Sequence, residues 1–182
     1  MHFFPPIGLL GEIASGRGEA LLVWSVRVAV VFYLLRMFIA VRAGLVSRVP
    51  TKLECVFWAI GCGAYLIHVF CAFEFSHQWS HTQAWQHTAD ETARMIGVRR
   101  GEGLWVNYVF SLAWLIDCGR LTRANLSQQI TSPRLDIAIH LFMAFIVFNA
   151  TVVFGPNLYR WLAAPVAIVF VVLWRKRRIA TE

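Results

Sequence analysis

The sequence predicts an all-α, polytopic transmembrane helix bundle of about five spans, with an outward-facing, histidine-rich helix between the second and the third. Three observations lead there. Hydrophobic residues make up 58% of the 182, and the mean hydropathy is +0.59. Charged residues supply only 15%, against roughly 25% in a soluble domain. The apolar residues also gather into blocks near the length of about 20 residues that a helix needs to cross a hydrocarbon layer about 30 Å thick.

The blocks occupy residues 21–45, 53–73, 104–121, 136–154 and 158–174. The first two are long enough to cross with ease, and the last three are slightly short. Gly155 and Pro156 break helix between the fourth and fifth, which predicts a tight hairpin; a single kinked helix over both would be nearly two crossings long. Pro165 should kink the fifth span, which a bundle tolerates when neighbours satisfy the freed carbonyl. There is no internal repeat or second domain, so residues 1–182 read as one integral membrane domain. The amino terminus lacks a basic stretch, and Pro5 and Pro6 interrupt its short apolar run before the polar residues 11–19; it does not read as a cleavable signal.

Orientation follows from the basic residues in alternate connections. One side collects Arg42, Arg48, Lys52, Arg120, Arg123, Arg134 and the run Arg175, Lys176, Arg177, Arg178; the other holds Arg17, Arg94, Arg99, Arg100 and Arg160. The richer side belongs in the cytoplasm, so the carboxyl terminus is expected inside, the amino terminus outside, and segment 74–103 on the extracytoplasmic face of the inner (plasma) membrane. Trp24, Trp79, Trp105, Trp161 and Trp174 fall at or near span ends, where indole favours the interface, whereas Trp58 and Trp114 fall deeper. The net charge of +7 is thereby a signal of topology and of anionic lipid rather than of nucleic acid.

Ionisable residues also fall inside the blocks. Arg27 and Arg36 lie nine residues apart, so at about 100° per residue they point to opposite sides of one helix. Each needs an interface, a carboxylate or a carbonyl. By depth Arg36 groups with Asp117 and His140 on the inner side, and Arg27 with His68, Glu74, Asn107, Tyr108 and Asn149 on the outer. Such residues either hold a bundle together or mark a proton or ligand path. Cys55, Cys62, Cys71 and Cys118 form no C-x-x-C pair and read as buried, reduced thiols.

The most informative stretch runs from Glu74 to Arg94. It lacks Gly and Pro, predicting either a helical extension of the second span or a separate surface helix. On a continuous helix Glu74, His77 and His81 share an arc of about 60°, and such a set suits zinc, copper or iron. His87, Asp90 and Glu91 form a second candidate ligand set, too far along a straight helix to share an ion with the first. Haem fits less well, because His68 and His140 fall at opposite depths. There is no H-E-x-x-H, Walker loop, dinucleotide fingerprint or G-x-S-x-G elbow.

The leading expectation is a non-catalytic subunit or scaffold of a membrane complex, with lipid, other membrane subunits or further copies of itself as partners. Its first alternative is a metalloprotein, a redox enzyme or metal carrier, using the histidine cluster. A small transporter or channel built on Arg27, Arg36 and Asp117 is the second.

Overall fold

The computed structural model describes residues 7–43, 48–155 and 157–181. Six α-helices and two short π-helical turns follow one another, with no strand among the described residues. α1 (Ile7–Ala43) and α2 (Lys52–Cys71) form the broadest helix pair in the bundle. Arg36 meets Glu54, Ala29 meets Gly61 and Leu22 meets His68, so the two run antiparallel. The helix of α1 takes in residues 11–19, which the apolar pattern had left outside the first span.

α2 starts on a capping box. The Glu54 backbone N–H donates to Thr51 Oγ1 at 3.3 Å, and the Thr51 N–H donates to Glu54 Oε2 at 2.9 Å. The first π turn (Ala72–Ser76) continues α2, then the chain reverses through His77, Gln78 and Trp79 into α3 (His81–Ile96). α4 (Gly103–Leu126) returns through the bundle; α5 (Pro133–Phe148) leads into the second π turn (Asn149–Val153), and α6 (Asn157–Thr181) follows. α5 and α6 are separate helices parted around Gly155, and α6 runs on through Pro165.

Aromatic rings fill the centre. Trp58 and Trp114 are fully buried with ring centroids 5.0 Å apart, and Tyr33, Tyr65 and Phe110 pack round them. Such pairs contribute beyond the area they bury. Gly61 lets α1, α2 and α4 close on one another: a Cβ there would stand 3.0 Å from Trp114 Cζ2 and 3.3 Å from Phe32 Cβ. Met143 of α5 and Leu121 of α4 complete the core.

The outside is apolar. Leu141, Phe145, Leu112 and Ile116 are all more than half exposed, while Arg36, Glu54 and Asp117 are buried. Three segments, Gly18–Ala43, Lys52–Ser76 and Pro133–Val153, are long and apolar enough to cross a membrane. α4 has 24 residues but carries Asp117, Arg120 and Arg123, and the apolar stretch Asn157–Leu173 of α6 is shorter. Trp24, Trp79, Trp105 and Trp161 are exposed as end-of-span indoles would be; the Trp174 side chain lies outside the described residues.

Two glycines of α2 separate packing from propensity. Gly61→Val should destabilise the protein by about 1–3 kcal/mol through overpacking. Gly63→Ala, whose new Cβ meets nothing within 4 Å, should be neutral or stabilise by up to about 1 kcal/mol. Thermal unfolding in mild detergent, followed by circular dichroism, checks both; equal midpoints would contradict the close approach at Gly61.

Candidate functional site

The bundle has a charged end and a histidine end. At the charged end, Glu54 is completely buried and takes both guanidinium nitrogens of Arg48, with Arg48 Nη1 2.6 Å from Oε2. Arg36, also buried, brings Nη1 to 3.3 Å from Oε1 and lies over the Trp58 ring at 5.9 Å. Next to this group, Arg120 donates to Asp117 at 2.7 Å and also to Asp136. Thr131 donates from its hydroxyl to Asp136 at 2.9 Å and from its backbone N–H to the Arg48 carbonyl at 3.1 Å. His140 is buried, with its ring 5.5 Å from that of Trp58.

Three guanidinium groups therefore face three carboxylates, and the formal charge cancels. The groups come from α1, the connection after it, α2, α4 and α5, so the network joins four helices. A cavity of about 20 Å³ lies among Arg36, Arg48, Asp136 and His140, room for one water. Arg27 takes a different course on the far side of α1. It is exposed, donates to Tyr159 of α6 at 2.9 Å and stacks on Trp24. His68 engages the Leu22 carbonyl through Nδ1 at 2.9 Å, and Asn149 donates to the Phe145 carbonyl of its own helix.

At the histidine end the helix is not continuous, which corrects the shared arc expected for Glu74, His77 and His81. Gln78 and Trp79 both have left-handed φ, 47° and 57°, a conformation that costs energy in residues with a Cβ. Aromatic packing holds it: Trp79 meets Phe70 edge to face, lies tilted against Phe73 and donates its indole N–H to Glu74 at 2.7 Å. Ser80 then caps α3 by accepting from the Gln83 N–H.

The reversal redistributes the candidate ligands. His81 turns to Tyr108, with Nδ1 3.1 Å from the hydroxyl, and lies beside Trp105. His77 and His87 come together, with ring centroids 5.3 Å apart. Asp90 accepts from Arg99 at 2.7 Å, which holds its carboxyl below the usual range, and Glu91 pairs with Arg94 at 2.7 Å. Among the described residues no three His, Cys, Asp or Glu side chains converge as a metal-holding group.

A cavity of about 370 Å³ opens between these residues and the aromatic core, within the roughly 300–1,000 Å³ usual for small-molecule pockets. It runs from Ala29 and Trp114 to His77 and His87, and both π turns contribute to its wall. Such turns recur at functional sites. Among the described residues no Asp, Glu, Lys or Arg lines it. No protein-family model, curated protein or solved structure matches this chain.

Sequence reasoning missed Glu54, Arg48 and Asp136 as partners of the buried charges. A signal was present: Thr51-x-x-Glu54 ahead of an apolar run is a capping-box pattern. It also puts a carboxylate at the depth of Arg36.

His77 supplies a pH test. Burial first, and the neighbouring His87 second, lower its pKa below the ordinary histidine value. The folded state therefore favours the neutral ring. Its contribution to stability is complete above pH about 6.5 and is lost as pH falls through the folded pKa of His77. In an NMR titration, His87→Gln should move the His77 pKa part of the way up while leaving it below the ordinary value. A His77 titration unchanged by that substitution would contradict the pairing.

Proposed function

We propose that this chain is a non-catalytic, multi-pass component of a membrane complex, crossing the bilayer five times. α4 and α6 join the three long apolar segments in this reading. α4 spans about 36 Å at 1.5 Å per residue, and its Asp117 and Arg120 have partners, which lowers the cost of placing them in lipid. α6 is shorter in its apolar part, and the basic residues after it can reach the headgroups. The histidine end faces outward from the inner membrane, and the carboxyl-terminal basic run stays in the cytoplasm.

The observation that carries the reading is the use made of the buried charges. Arg36, Arg48 and Arg120 are matched by Glu54, Asp117 and Asp136, with Arg36–Glu54 joining α1 to α2 and Arg120–Asp136 joining α4 to α5, and a cavity of about 20 Å³ lies among them. This supports a structural role over a solute path. α6 supports an assembly role: it packs chiefly on α1 and the second π turn, leaving Leu158, Trp161 and Ile168 exposed for lipid or a neighbouring subunit.

A second reading, a metalloprotein of the outer face, is favoured by the proximity of His77 to His87. The remaining ligands to zinc, copper or iron would come from water, a partner chain or a rearranged Asp90 or Glu91.

Extraction in mild detergent should give a discrete species well above the 20.7 kDa of the single chain, without turnover of its own. A lone monomer would overturn the assembly reading. Gln83→Cys, on the exposed face of α3, should react with an impermeant maleimide on intact cells; reaction only after lysis would reverse the orientation. Metal analysis of the same preparation tests the second reading: stoichiometric metal lost in the His77→Ala, His87→Ala double variant supports it, and none in either sample ends it.

A further inference from the structure

From the 370 Å³ cavity at the histidine end we infer a binding site for an uncharged, hydroxyl-bearing aromatic lipid of the hydroquinone class. The inference stands apart from the assembly reading and rests on what the wall of the cavity offers and lacks.

Charge comes first. The bundle gathers six charged groups at one end, three of them buried, yet no Lys, Arg, Asp or Glu among the described residues lines this cavity. A cationic or anionic head would be desolvated there without a counter-charge. The occupant is therefore neutral.

Hydrogen-bond polarity comes second. His68 lines the cavity, and its Nδ1 lies 2.9 Å from the Leu22 carbonyl. A carbonyl only accepts, so Nδ1 carries the hydrogen, and in the neutral ring Nε2 keeps a bare lone pair. The Ser111 hydroxyl donates to the Asn107 carbonyl at 2.9 Å, or in its other contact to Tyr65 Oη at 3.2 Å. Tyr65 in turn donates to the same carbonyl at 3.4 Å. Three polar groups of the wall thus have their protons committed to the protein and keep lone pairs, while the buried Trp114 indole N–H, also in the wall, has no acceptor. A ligand that complements both kinds of group donates and accepts. A neutral hydroxyl does so, whereas a quinone carbonyl only accepts.

Shape and surroundings come third. Tyr65, Phe73, Tyr108, Phe110 and Trp114 give the cavity aromatic walls, which favour a flat ring by offset and edge-to-face contact. Leu22, Val26 and Val30 of α1 add an aliphatic side suited to the first part of an alkyl or isoprenoid tail. The two π turns shape the wall where a regular helix would carry straight on.

The test uses the full chain in phosphatidylcholine nanodiscs, titrated without oxygen by calorimetry against empty discs, with a decyl-substituted hydroquinone and the corresponding benzoquinone. Saturable binding is expected for the hydroquinone, tighter than for the benzoquinone by roughly tenfold, the usual worth of one hydrogen bond. His68→Phe should abolish that preference, and His68→Gln, which restores an acceptor, should retain part of it. Ser111→Ala, a milder change, should lower the preference severalfold and carries the same test should the phenylalanine variant fail to fold. No saturable heat beyond empty discs, an equal or tighter grip on the benzoquinone, or a preference untouched by all three substitutions would overturn the inference.

Discussion

The bundle is organised around one carboxylate. Glu54, in the first turn of α2, closes the capping box with Thr51 and receives Arg48 and Arg36 while wholly shielded from solvent. Arg48, a quarter exposed, hydrogen-bonds Glu54 through both terminal nitrogens, whereas the buried Arg36 is held to it by charge, its Nε and Nη1 making no hydrogen bond. The arrangement therefore fixes the register of α1 against α2. From there it extends through the Arg48 carbonyl and Thr131 to Asp136, and through Arg120 to Asp117. Most of the remaining cohesion comes from side-chain packing, because in lipid an apolar surface gains little by meeting another.

That constraint divides the molecule electrostatically. The ion-pair network at the charged end is neutral in sum and encloses only about 20 Å³ of free space. The histidine end has a cavity with no Asp, Glu, Lys or Arg on its wall among the described residues. Between them Arg36 lies over Trp58, Trp58 packs on Trp114, and Tyr65 stacks on Trp114 at 5.6 Å with His68 next to it. The rings form an aromatic partition. They let α1, α2 and α4 approach closely at Gly61, while the π turns and the left-handed pair at Gln78 and Trp79 leave room beyond it. One fold thus provides a closed structural half and a half with space for a ligand.

Much of this architecture was legible in the sequence, because the length of apolar runs reports directly on helices in lipid. The separation of α5 from α6 was readable from Gly155, and the opposite faces of Arg27 and Arg36 from their spacing of nine. The break after Ser76 was not. Left-handed residues are ordinarily announced by Gly or Asn, and here Gln78 and Trp79 adopt that conformation because Trp79 finds Phe70, Phe73 and Glu74. Without the break His77 and His81 share a face; with it His77 meets His87 and His81 meets Tyr108. The cavity was illegible for a related reason: it arises from how helices distant in sequence are placed, and no local pattern encodes a void. Glu54 was the recoverable omission, since its cap signal and its depth were both present.

The central claim is that Glu54 and Arg36 act as a coupled pair inside the bundle, and a double-mutant cycle tests it most directly. Unfolding free energies of Glu54→Gln, Arg36→Met and the double variant, measured in one detergent, give the coupling. Removing the carboxylate alone should cost about 3–5 kcal/mol because it strands the buried Arg36 guanidinium. The double variant should be at least about 1 kcal/mol more stable than the sum of the single losses predicts. Strict additivity, or a Glu54→Gln protein as stable as the parent, would contradict the account.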